Sequence, residues 1–576
     1  MTTTTATPTI VDLLRKSAEQ MMAPGLPYEI EEREFDGIRY RTFKNTKTTV
    51  KELLDSGRAH GDVAFIVYEE ENYSFKDFFA QVDAIGYQLV NRYGVKKGDR
   101  VAIAMRNYPE WMMVYVAVVS LGAIVVPLNS WGQKAELEYG ITDSGACVVF
   151  CDEQRYLHIA DSLGALNTRA VVTRTSLDAL ADKAELYTDF IADGKGKDLP
   201  AFACSSEDPV MIMYTSGTTG LPKGALSNHR NIIQALTSFE FHANTSAMAN
   251  LDIIEKMLGS GLQPTSLLAV PLFHVSGCYA LFLLSLLGGR RLVMMYKWDA
   301  GKALKLIESK RITTLSAVPS MVMDVLEHPD FDKTDTSSLS AIGGGGTACP
   351  PKFSRLVYEK VESPYLGSGY GMTESNAICA SGTGAAFKYK PTSSGTLSPI
   401  VDFKTVDEEG NERPRGATGE IWLKSPTVIK EYWNKPEASA KTFHQGWLAT
   451  GDIGYIDDEN FVFVVDRAKD MVIRGGENIA SAEIESCVTE MPEIHEVAAF
   501  GVPHEKLGEE LAVAITLQPG ARCSEDAVRE HVKGKLAGFK VPTYVWICSQ
   551  PLPRNASGKL LKKQIQNDYL KVASNK

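Results

Sequence analysis

Between residues 210 and 224 the chain runs from an apolar stretch, Val-Met-Ile-Met-Tyr, into Thr215-Ser216-Gly217-Thr218-Thr219-Gly220-Leu221-Pro222-Lys223-Gly224. No other segment restricts fold and chemistry as strongly. A short apolar run bounded by turn formers predicts a strand buried on both faces. A strand that ends in such a loop belongs in layered α/β architecture. The hydroxyls of Thr215, Ser216, Thr218 and Thr219 can donate to phosphate oxygens, and Gly217, Gly220 and Gly224 let backbone N–H groups approach closely. Lys223 adds a mobile positive charge. The loop is not a Walker A motif: counting from Gly217, Pro222 stands where the second glycine is required, and Gly224 follows Lys223 where a hydroxyl should bind magnesium.

The rest of the chain repeats the α/β theme. Val101 to Ala104, Ala146 to Cys151, Ala170 to Val172 and Leu267 to Pro271 read as short strands, and Lys302 to Lys310 as helix. Their alternation predicts largely parallel sheets. Trp111 to Leu128 is uncharged and apolar at nearly membrane-spanning length, but Ser120 and Gly122 interrupt it and Pro127 ends it. It is expected to be a buried helix running into a buried strand. At roughly 150 residues per domain, 576 residues suggest about four structural units. After Arg467 glycine pairs and charge replace apolar runs, so Asp466-Arg467-Ala468-Lys469 is the expected linker to a small α+β unit, residues 470–576. A large domain is expected over 49–465, and residues 1–48 read as a polar, aperiodic N-terminal extension.

Charge and cysteine content exclude several classes. Sixty basic and 71 acidic residues leave a net charge of −11, which argues against nucleic acid as the main partner. Nine scattered cysteines without a CxxC pair read as reduced thiols in a cytoplasmic protein, and Cys147 and Cys151 as core residues with no histidine cluster to make a metal site. The start, Met1 and the threonines Thr2 to Thr5, lacks the basic and apolar regions of a secretory signal. Ser574-Asn575-Lys576 is not the peroxisomal tripeptide.

With the loop at 215–224, the chain resembles the AMP-forming, adenylate-forming superfamily that includes acyl-CoA synthetases, 4-coumarate-CoA ligase-like enzymes, beetle luciferases and peptide-synthetase adenylation domains. The likeness runs in order from about Thr49 to Lys563. It implies an α/β fold with a large N-terminal domain of packed sheets and a small mobile C-terminal domain. It also implies a reaction in which a carboxylate attacks the α-phosphate of ATP to give an acyl-AMP, and a thiol then displaces AMP. The first step brings two anions together and so demands cations and oriented donors.

The resemblance extends to residue roles. In Tyr365 to Glu374, Tyr370 would stack on adenine, with Gly371 and Met372 beside the nucleotide. Thr373 would bond the α-phosphate and Glu374 would hold Mg²⁺, a role shared with Thr218. Ser368 departs from the longer polar or acidic side chain often found at its position. Gly343 to Gly346 resembles the tract passing beside adenine and the acyl group, with Gly343 and Gly369 on the acyl side and Gly344, Gly345 and Gly346 on the nucleotide side. His274, in Pro271-Leu272-Phe273-His274, matches an aromatic position of the acyl pocket. Peptide-synthetase domains usually carry an aspartate there for the substrate ammonium, so an uncharged acyl chain or an aromatic acid fits better.

Further on, Asp452 in Thr450-Gly451-Asp452 looks like the ribose clamp, and by the same resemblance Val464 would lie beside the nucleotide, Arg467 would serve the ribose and phosphate side, and Lys469 would be the hinge residue. Gly475 and Gly476 match the glycines lining the thiol tunnel of acyl-CoA ligases, and Lys540 would reach a CoA phosphate. Lys559, in Pro553 to Lys559, resembles the catalytic lysine bridging carboxylate and α-phosphate, with Lys562 and Lys563 as internal controls.

The expected function is therefore ATP- and Mg²⁺-dependent ligation of a carboxylic acid to CoA, on a medium- or long-chain fatty acid first and an aryl acid second. Transfer to a carrier-protein thiol, a luciferase-like oxygenase and a nucleotide-binding module without turnover are the alternatives. The partners expected are the small-molecule acid and CoA, with no nucleic acid and no transmembrane span. The sequence leaves a homodimer open.

Overall fold

The apolar runs become strands in a computed structural model that describes residues 9–200, 202–215, 221–347, 349–555 and 558–574. The first sheet has seven strands in the order Lys223–Asn228, Pro209–Thr215, Ile124–Pro127, Arg100–Ala104, Val148–Asp152, Arg169–Thr173 and Ala184–Leu186. All of its pairings are parallel except the first. The second has nine strands, with a parallel centre built from Tyr365–Tyr370, Ala341–Gly344, Thr314–Ala317, Thr265–Leu268, Arg291–Met294 and Ala64–Tyr68. Alternation explains the burial: Val101 and Ile103 enter the core shared with the second sheet, whereas Ala102 and Ala104 enter the core on the opposite face.

The segment read from Trp111 forms a helix, Pro109–Ser120, with every residue buried, and then the strand Ile124–Pro127. A helix apolar on all sides must lie between layers. Trp111 and Tyr115 stack at 5.5 Å between ring centroids, and both meet Phe282 edge-on. Each side chain of this size contributes on the order of 2–3 kcal/mol when removed from water. No helix among the described residues is long and apolar enough to cross a membrane.

A third, antiparallel sheet contains Gly419–Lys424, Trp447–Ile456 and Val462–Arg467. The last unit is a five-stranded sheet with the helices Ser481–Thr489, Glu525–Lys533 and Lys562–Ser574. Its two cores, one on each sheet face, draw only on residues from Val472 onward.

Three expectations need correction. Within the expected extension, the described residues 9–48 are not aperiodic: Ile10–Met21 is a helix with a Thr9–Asp12 capping box, and Ile30–Phe35 pairs with Ile38–Phe43. The hairpin is tied to the large domain, since Phe43 N–H donates to Gln234 Oε1 at 2.8 Å and Gln234 Nε2 donates back to the Phe43 carbonyl at 3.0 Å. The linker is shorter than 466–469, because Asp466 and Arg467 belong to Val462–Arg467, paired with Ile453 and Asp452. Only Ala468, Lys469 and Asp470 form the turn that follows. The strand read as Leu267 to Pro271 starts earlier and stops at Leu268.

Candidate active site

Thr215, Gly344 and Tyr370 each end or nearly end a strand, which places the expected motifs at the carboxyl edges where open α/β sheets bind ligands. Thr215 lies directly across the hairpin from Lys223, and its Oγ1 donates to the Lys223 carbonyl at 3.3 Å. Ser216, Gly217, Thr218, Thr219 and Gly220 lie outside the described residues. Lys223 Nζ sits 5.1 Å from the Tyr432 ring centroid, and Tyr432 donates its hydroxyl to Glu374 Oε1 at 2.7 Å. Tyr432 thus links the loop lysine to the motif 370–374.

Glu374 is buried in the short helix Thr373–Ser375, which begins just after Met372. Gly371 is required by the fold: a Cβ there would lie 2.1 Å from the Ala377 carbonyl oxygen. No group of three or more acidic, cysteine or histidine side chains that could hold a metal occurs among the described residues. One carboxylate fits Mg²⁺ all the same, because this ion commonly binds one or two carboxylates and completes its shell with phosphate oxygens and water.

Tyr370 and Val464 pack against the same small cluster of Cys379, Val401, Ile421 and Leu423. The Tyr370 hydroxyl donates to Asp452 Oδ2 at 2.7 Å, and Arg467 Nε pairs with Asp452 Oδ1 at 2.6 Å. Asp452 occupies an inward position of Trp447–Ile456 that alternation would give to a core residue. Burial pushes its carboxyl pKa up, while Arg467 pulls against the shift.

Lys559 completes the group from the other side. Its backbone N–H donates to Asn555 Oδ1 at 2.9 Å, and the Asn555 N–H donates to the Lys559 carbonyl at 2.8 Å, so a tight loop presents the side chain. Gly558 in that loop has φ +83°, the left-handed region that favours glycine. Lys559 Cε would be 3.8 Å from a Cβ on Gly346. Burial lowers the ammonium pKa, Arg467 and Lys469 lower it further, and Asp452 and Glu374 oppose them. The side chain thus lies within the fields of four of the expected site residues. A half-buried cation beside other cations favours the arrival of an anion.

His274 caps the short helix that follows it, and its Nδ1 is buried with no hydrogen-bond partner among the described residues. Burial, with a smaller push from Lys559, takes its pKa down to about 4. Gly343 and Gly344 are glycines for packing as much as for a channel: a Cβ would meet Ser316 Oγ at 2.5 Å and Cys349 Sγ at 2.6 Å respectively. Gly345 faces open space, and Gly369 lies against the Ala380 carbonyl. Between the large domain and the last unit a cavity of about 260 Å³ is lined by Arg106, Trp131, Tyr296, Asp324, His495 and Arg554, with Asn555 and Gly558 at its side.

The residues expected on the thiol path are not gathered here. Gly475 and Gly476 form an exposed two-residue hairpin turn with φ +60° and +89°. Lys540 Nζ pairs with Glu483 at 2.6 Å inside the last unit. Lys469 is exposed in its turn, with a pKa lowered by partial burial.

The sequence reading missed Tyr432, which no local pattern marks, and took Lys562 only as a control for Lys559. Lys562 is not solvated: its Nζ donates to Ser481 Oγ at 2.5 Å and pairs with Glu485 at 2.8 Å.

Comparison with known proteins identifies the family. Residues 53–433 match the AMP-binding enzyme family, and residues 483–559 match the AMP-binding enzyme C-terminal domain. The long-chain-fatty-acid–CoA ligase FadD13 of Mycobacterium tuberculosis is 33% identical, across 87% of this chain and 95% of its own. A feruloyl-CoA synthase of Amycolatopsis is 32% identical, across 83% and 90%. Among solved structures, ATP-bound MatB from Rhodopseudomonas palustris superposes with a TM-score of 0.75 at 28% identity, across 90% of this chain and 99% of its own. The chain belongs to the AMP-binding enzyme family and is an acyl-CoA synthetase-like member of the adenylate-forming superfamily.

Proposed function

We propose that the protein joins a carboxylic acid to coenzyme A in two steps. A carboxylate oxygen attacks the α-phosphorus of ATP and pyrophosphate leaves; the CoA sulfur then attacks the acyl carbonyl, its proton passes to solvent and AMP leaves. The observation that carries this reading is Lys559, delivered by the last unit into a half-buried position beside Gly346, where Glu374, Asp452 and Arg467 act on it. There it would bridge the two anions as they meet. Asp452 and Arg467 would receive the ribose, Tyr370 and Val464 the adenine, Thr373 and the 215–220 loop the phosphates, and Glu374 with Thr218 the Mg²⁺ that neutralises them.

The acid would lie beside Gly343 and His274, whose neutral imidazole adds no charge near the chain. A fatty acid is the first assignment, supported by the FadD13 relative. An aryl acid is second, supported by the feruloyl-CoA synthase relative. Thioester formation needs a second pose, in which the last unit turns about Lys469 and brings Gly475, Gly476 and Lys540 towards the site. A large unit to residue 465 and a small unit from residue 470 would be the bodies that move. Nine unpaired cysteines support a reducing, cytoplasmic setting.

Lys559→Ala tests the assignment. Pyrophosphate release should fall by about 10²- to 10³-fold, as for loss of one preorganised donor, while thioester formation from supplied acyl-AMP and CoA should persist. Equal loss of both steps would reject the role. A panel of aliphatic and aryl acids, scored by pyrophosphate release with CoA present, identifies the substrate.

A further inference from the structure

Lys562 is a second lysine, held by one buried and one half-buried partner three residues beyond Lys559, at the first position of Lys562–Ser574. Its Nζ lies between Ser481 Oγ at 2.5 Å and Glu485 Oε1 at 2.8 Å, both on the helix Ser481–Thr489. Ser481 is fully buried and its hydroxyl donates to Asp466 Oδ2 at 2.8 Å. The Ala482 N–H donates to the same oxygen at 3.3 Å, while Asp466 Oδ1 accepts from the Arg467 N–H at 2.7 Å. Glu485 also accepts from the Ala499 N–H at 2.8 Å, which fixes it to the sheet of the last unit.

The order of these residues along the chain gives the network its meaning. Asp466 is paired into the antiparallel sheet of the large part of the molecule. Ser481, Glu485 and Lys562 belong to the last unit, and Lys469 lies between the two sets. The Asp466–Ser481 bond therefore spans the turn at Lys469, and any rotation there that carries Ser481–Thr489 away must break it. Breaking it would strip partners from buried polar groups, which is costly unless water replaces them. Glu485 and Asp466 outweigh burial and hold the Lys562 ammonium pKa above its usual value, so the charge remains in place.

We propose that Lys562, acting through Ser481 on Asp466, is a positioning residue that locks the last unit in the pose that brings Lys559 to the adenylating site. This rests on the two-step, two-pose reading above. Lys562 touches no reacting atom. It fixes the start of the helix behind the Lys559 loop and couples that helix to the strand preceding the pivot.

The test measures each half-reaction separately, as pyrophosphate release with dodecanoic acid and ATP, and as thioester formation from dodecanoyl-AMP and CoA. Lys562→Met should slow the first about 10- to 100-fold, the scale of losing a hydrogen bond to a charged group, and leave the second within about threefold. Ser481→Ala should shift the same way, and it decides between the outcomes if Lys562→Met does not fold. Lys562→Arg should restore most of the first step, and Lys563→Met, at an exposed neighbour, should change neither. A parallel fall in both half-reactions with lowered thermal stability would reduce Lys562 to a structural residue, and no change in either would overturn the lock. Lys559→Ala in the same assays separates the two ideas: if it slows both steps alike the two-step assignment fails, and if it behaves as expected while Lys562→Met does not, only the lock fails.

Discussion

Lys559 has a depressed pKa because it is half-buried and shares its surroundings with Arg467 and Lys469. The sign of its pH dependence follows. In the proposed role the ammonium bridges the two anions, so the rate should decline as pH rises through the lowered value, earlier than for a solvated lysine. Lys559→Arg should move that alkaline limb out of range, because guanidinium stays charged, at a lower maximal rate. A pH–rate profile of pyrophosphate release checks both. Tyr432→Phe removes the hydroxyl that orients Glu374. On the scale of losing a partner that orients a ligating group, the Mg²⁺ concentration for half-maximal rate should rise about tenfold or more, measured by metal titration. Glu374 could be read from Gly-Tyr-Gly-Met-Thr-Glu, since one short string carries its context. Tyr432 could not, because it is 58 residues away and only the fold makes the two partners.

Among elements, the turn after Tyr365–Tyr370 is the most sterically exacting. Gly371→Ala would drive a methyl group into the Ala377 carbonyl. It should lower stability by about 1–3 kcal/mol and adenylation with it, as read by thermal unfolding and pyrophosphate release. The central strands were legible because each is a short apolar run closed by turn formers, and Pro109–Ser120 because it is apolar all round. Ile10–Met21 was hidden by its charges: Asp12, Arg15, Lys16 and Glu19 dominate the composition, yet Ile10, Leu14, Ala18 and Met21 keep helical spacing against the large domain. Leu14→Ala should cost about 2–3 kcal/mol in chemical denaturation.

For the molecule as a whole, acid should be destabilising below neutrality. Burial pushes His229 and His242 down to about 4, as it does His274. Between about pH 6.5 and 4 the unfolded chain binds protons at these positions that the folded chain refuses, so stability is lost as pH falls through that window. His242→Gln should flatten the slope of unfolding free energy against pH over the same range. The layered architecture and the order of motifs could be read from the chain. The handedness of the last unit's seating could not, because it depends on contacts such as Asp466 with Ser481 that join segments on opposite sides of a short turn. That unit packs both faces of its sheet with its own side chains. Its cohesion is therefore indifferent to which way it points, so under the proposed two-pose reading the timing of its turn would be set by a few polar neighbours at the seam and not by the body itself.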